Sequence, residues 1–135
     1  MTTEEMPPIQ LFVQLVVLAP KGKVLLARYD QEDERWMIPY TDLEPYEHPD
    51  ETARRGLEAL GGLAVRALRM SDVLSFRGRA GWHVVFNYRV EAEGEGAPQA
   101  EFPTQWFPTT QLPRTVHGRW EHDIITRLSQ EDAKV

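Results

Sequence analysis

The side chains with most chemical promise gather in "ETARRGLEALGGL", residues Glu51 to Leu63. Glu51 and Arg55 stand at i,i+4, and Arg55 and Glu58 at i,i+3, the spacings of ion pairs on an exposed helix face. Gly56, at the centre, costs about 1 kcal/mol relative to alanine in a helix interior, which implies a close approach of backbone or ligand, or a tolerated cost. Elsewhere the chemistry is sparser. The histidines His48, His83, His117 and His122 show no HxH or HxxxH spacing for zinc. There is no cysteine, so neither a thiolate site nor a disulfide framework is available. No Ser/His/Asp order stands out, and no glycine-rich loop precedes a helix. Trp82, Phe86 and Trp106 are candidates to stack on a base, although aromatics at alternating strand positions are more often core.

The elements that must position these groups fit one domain of 135 residues, with a core over about 9–129 and short disordered tails. "IQLFVQLVVLA" reads as a strand buried on both faces, and "KVLLARY" pairs with it through the turn "PKGK". "DQEDER" is a solvated loop. The three prolines of "WMIPYTDLEPYEHP" predict an ordered loop without regular structure. His48, Pro49 and Glu51 mark the helix start, and Gly61 and Gly62 its end. "LAVRALRMSDVLSF" and "GWHVVFNYRVEAE" flank "RGRAG" as a second hairpin. "GEGAPQ" is a flexible loop, "EFPTQWFPTTQLP" a short strand and turn, and "RWEHDIITRLSQ" a helix with Trp120, Ile124, Ile125 and Leu128 on one side. This order implies an α+β fold, helices packed on a mixed sheet.

A net charge of −6 argues against a nucleic-acid polymer as partner, because that grip needs clustered Lys and Arg. The acidic N-terminus lacks a signal-peptide layout, and the longest apolar run is too short to span a bilayer. The expected location is the cytoplasm, with no membrane partner.

Residues 47–63 resemble the box of the Nudix hydrolases, G-x5-E-x7-R-E-U-x-E-E-x-G-U with U aliphatic, preceded by Trp-x-x-Pro-Gly-Gly. Trp36 and Pro39 occupy the lead-in, Glu47 the first glutamate, Arg55 the arginine, Leu57 and Leu63 the aliphatic positions and Gly62 the glycine. Thr41 replaces the first glycine, Tyr40 and Thr41 the glycine pair, and Gly56, Ala59 and Leu60 the three later glutamates. The resemblance implies an α/β/α sandwich over roughly residues 9–129. It also implies Mg²⁺ on helix carboxylates and hydrolysis of a nucleoside diphosphate linked to another moiety. Magnesium wants hard oxygen ligands, and positions 56, 59 and 60 share one helix face that here carries no carboxylate.

Of the remaining candidates, Glu47 and Arg55 either tie the proline-rich loop to the helix or keep a metal or phosphate role, and Glu44 is a further candidate oxygen ligand. The favoured expectation is a Nudix-fold protein with little or no standard Mg-dependent activity, binding a nucleoside-diphosphate-like ligand or a partner. One alternative is a divergent hydrolase using Mg²⁺ on Glu44 and Glu47. Another is a non-catalytic interaction module, including a homodimer that buries the N-terminal strand region.

Overall fold

The computed structural model describes residues 9–78 and 81–131. The expected tails, and the hairpin-turn residues 79 and 80, lie outside the described residues. The elements run β1 (Ile9–Ala19), β2 (Lys23–Ala27), β3 (Tyr40–Asp42), α1 (Pro49–Leu60), β4 (Val65–Gly78), β5 (Gly81–Ala92), β6 (Thr104–Pro108) and α2 (Arg119–Ser129). The sheet is mixed, in the order β4-β5-β1-β2-β6, with β3 also paired to β1. β1 and β5 run parallel from Ile9↔Trp82 to Leu18↔Glu91, and the other pairings are antiparallel.

Alternation along these strands sorts the core into two layers. Val13, Leu15, Val17, Leu25, Tyr88 and Val90 meet Ala53 and Leu60 of α1 on one face. Val16, Leu18, Val24 and Leu26 meet Ile38, Ile124, Ile125 and Leu128 on the other, under α2. This is the expected α+β sandwich. The β1 reading needs one correction: burial on both faces begins at Val13, while Ile9 and Leu11 stay exposed.

A second correction concerns the proline-rich loop. It contains β3, whose Tyr40, Thr41 and Asp42 pair with Gln14, Val13 and Phe12. Pro39 precedes that strand and Pro45 follows it, so no proline removes a donor from the ladder. The expected helix start is realised by a capping box, in which His48 accepts from the Asp50 N–H while the Glu51 carboxylate accepts from the His48 N–H. Gly61, at φ 61°, closes the helix.

Candidate functional site

The site is built where the loop 36–48 folds against α1. Two carboxylates hold that loop in place. Glu47 accepts from Arg55 on both oxygens, at 3.1 and 2.8 Å, and also from the Glu44 N–H at 3.0 Å and the Thr52 hydroxyl at 2.7 Å. Arg55 donates in addition to the Asp42 carbonyl at 2.7 Å, so one guanidinium ties β3, the loop and the helix together. The Arg55 guanidinium, then the Glu44 N–H and the Thr52 hydroxyl, hold the Glu47 carboxyl down at about 2. These partners engage both oxygens in fastening the loop. Glu44 is exposed beside this clamp.

The second carboxylate, Glu121 of α2, is fully buried and accepts from the N–H groups of Ile38 at 2.8 Å and His117 at 2.8 Å. Its position in an amphipathic helix gave no sign of this in the sequence. Together the two carboxylates clamp the loop from both faces of the sheet.

The face of α1 toward this loop carries Gly56, Ala59 and Leu60. Leu60 is buried in the core cluster, Ala59 is exposed, and Gly56 lies under β3. A Cβ at position 56 would stand 2.6 Å from the Thr41 hydroxyl oxygen and 3.1 Å from a Leu15 methyl. The central glycine is therefore required by side chains of β3 and β1 that sit directly on the helix.

Beside that contact lies a hollow of about 40 Å³, walled by Leu15, Tyr29, Pro39, Tyr40, Thr41 and Phe102 and by the 56, 59, 60 face. Two of its hydroxyls face protein, that of Thr41 toward Gly56 and that of Tyr29 toward the Tyr40 backbone. The Tyr29 hydroxyl accepts from the Tyr40 N–H at 3.0 Å, and burial, outweighing that bond, pushes its phenol up to about 12.

A ribbon of aromatic contacts leads away from the hollow. Tyr29 packs on Phe102 with ring centres 4.6 Å apart and on Tyr40 at 5.0 Å, and Tyr40 meets Phe12 edge-on at 5.9 Å. Phe12 in turn meets His83 at 6.1 Å, His83 stacks on Phe76 at 4.9 Å, and Phe76 packs on Trp120 at 5.2 Å. These rings come from five elements and the loops around them, so no local motif announces them. Trp82, Phe86 and Trp106 are placed otherwise. By strand alternation all three lie on the α1 face, where Phe86 and Trp106 pack against the core cluster and Trp82 is exposed. Three strand spacings, about 14 Å, separate β5 from β6, so the sheet does not bring these three together.

With the geometry in hand, comparison with known proteins decides the family: the NUDIX domain model matches residues 9–128. The chain belongs to the Nudix family. No curated protein matches the sequence significantly. Among solved structures, this Nudix chain is similar to the NUDIX domain of Shewanella oneidensis NrtR complexed with ADP ribose, at TM-score 0.72 and 16% identity over 96% of this chain and 92% of that one. It is also similar to the mutator MutT protein from Bacillus halodurans, at TM-score 0.68 and 18% identity over 91% and 84% of the two chains. A UDP-X diphosphatase gives TM-score 0.65 and 18% identity, over 96% of this chain and 70% of that one. At these identities the likeness to solved structures is one of fold.

Nudix hydrolases generally use Mg²⁺ or another divalent metal, so the helix face can be tested for that ion. The residues present do not fit it. Position 56 has no side chain, position 59 offers a methyl group, and the position 60 side chain is locked into the core. Among the described residues no group of three or more His, Asp or Glu side chains could hold a metal ion. Among the same residues no helix is long and apolar enough to cross a membrane.

Proposed function

We propose that this Nudix chain has little or no standard Mg-dependent pyrophosphohydrolase activity and acts by binding a nucleotide-like small molecule. The observation that carries this reading is the packing at the 56, 59, 60 face. Thr41 fills the space above Gly56, and Leu60 is part of the core, so the turn that would seat a cation is used for cohesion instead. Magnesium needs hard oxygens in near-octahedral array, and a helix turn of glycine, alanine and leucine supplies none. The aromatic ribbon from Tyr29 to Trp120 supports the binding half, since flat rings suit heterocycles. The NrtR domain, which shares the fold, was solved with ADP ribose bound, and that supports the same ligand class here.

The test is a titration of purified protein with a panel of nucleosides and nucleotides, with and without Mg²⁺ or Mn²⁺, reading heat and hydrolysis together. Binding heat without turnover is expected. Cleavage of nucleoside diphosphate derivatives at ordinary enzyme rates, about 1–1,000 per second, would refute the reading.

A further inference from the structure

Seven large apolar side chains are exposed among the described residues, and five of them, Ile9, Leu11, Met70, Val73 and Trp82, share one face of three adjacent strands. The pairings fix this. Ile9 stands beside Trp82, Leu11 beside Val84, Val73 beside Phe86 and Met70 beside Tyr88, and strand alternation puts all of them on the α1 side of the sheet. The apolar surface therefore crosses from β1 over β5 to β4, the outer strand, whose far edge pairs with no described strand. We propose that this face seats a second copy of the chain in a twofold-symmetric dimer. The dimer is independent of whichever ligand the chain binds.

The five exposures amount to about two whole large side chains, on the order of 400 Å² of apolar surface. Apolar patches of that size on a monomer are often functional. A standard interface takes about 800 Å² from each partner, of which about 56–65% is apolar, so this patch supplies most of the apolar share of one.

Charge at the borders of the patch suits a copy of the same chain. β4 exposes Arg66 and Arg77, while its one acid, Asp72, is held by Arg127 of α2. The flank of α1 beside the patch has the opposite balance. Asp50 accepts from the Tyr88 hydroxyl, next to Met70, and helical spacing aligns Arg54 and Glu58 with it, two acids to one base. A twofold contact that lays patch on patch sets each α1 flank along the partner's outer strand, acidic side to basic side, twice over. The same contact shields the open edge of both sheets.

The experiment is sedimentation equilibrium of the full chain from about 1 μM to about 1 mM, in low salt and in about 1 M NaCl. A reversible dimer with a micromolar dissociation constant is expected, and its apolar centre should keep it together in high salt. Val73→Lys and Trp82→Ser, both at exposed positions, should each weaken the dimer about tenfold or more, because each change enters the contact twice. Both should keep the wild-type urea midpoint where the chains are dilute. Hydrogen exchange gives a reading on the unaltered chain: the amides of β4 should exchange more slowly in concentrated than in dilute solution. The mass of one chain at the highest concentration overturns the proposal, whether the face is then bare or kept for another protein. A dimer that both variants leave intact, that falls apart in high salt, or that leaves β4 exchange unchanged overturns it as well.

Discussion

Gly56→Ala should destabilise this protein, although the same change in most helix interiors stabilises. The propensity gain is about 1 kcal/mol. Against it stands the new methyl, 2.6 Å from the Thr41 hydroxyl oxygen and 3.1 Å from a Leu15 methyl. Threonine is branched at Cβ and stiff about χ1, so swinging the hydroxyl away brings its methyl toward the same place. Overpacking of this kind costs about 1–3 kcal/mol, which leaves a net loss of about 0–2 kcal/mol. The decisive assay is a double-mutant cycle with Thr41→Gly, measured by urea denaturation. With Thr41 gone, only the Leu15 methyl at 3.1 Å opposes the alanine, and the sign of the Gly56→Ala effect should reverse. The coupling between the two positions should be about 1–3 kcal/mol. If Gly56→Ala raised the urea midpoint equally in both backgrounds, the claim that β3 presses on this helix would be wrong.

Leu60→Glu, which restores a family glutamate, should cost more than the about 2–5 kcal/mol of a buried Leu→Ala change, because it leaves a carboxylate unpartnered in the core. Ala59→Glu, at an exposed position of the same face, should stay within about 0.5 kcal/mol, and urea midpoints at neutral pH separate the two. The Glu47 clamp predicts an acid limb. Its folded carboxyl lies below the ordinary 4.5, at about 2, so its stabilisation is present above 4.5 and is lost as pH falls through 2. Glu47→Gln should flatten the fall in urea midpoint over that window, and an unchanged slope would count against the clamp.

The frame was legible in the sequence because its signals are local. The apolar run of β1 and the capping residues His48, Pro49 and Glu51 each act within a few positions, and the structure places those elements there. β3 escaped because prolines near it suggest a break, whereas three residues suffice to pair with β1. The site was legible only as a missing set of glutamates. What occupies their place depends on contacts such as Thr41 on Gly56, fifteen positions apart, and a ribbon whose rings come from strands, loops and α2. Neither leaves a spacing to read.

The buried carboxylate of Glu121 has a temporal consequence. It binds the N–H of Ile38 across 83 positions of chain, and during synthesis the ribosome delivers the loop long before the helix that fastens it. Until α2 emerges, the Ile38 amide has no permanent acceptor and the apolar underside of the sheet lies open to water. Settling of the 36–48 loop thus waits until α2 has been translated, and a nascent chain halted before Glu121 should expose hydrophobic surface that chaperones can recognise.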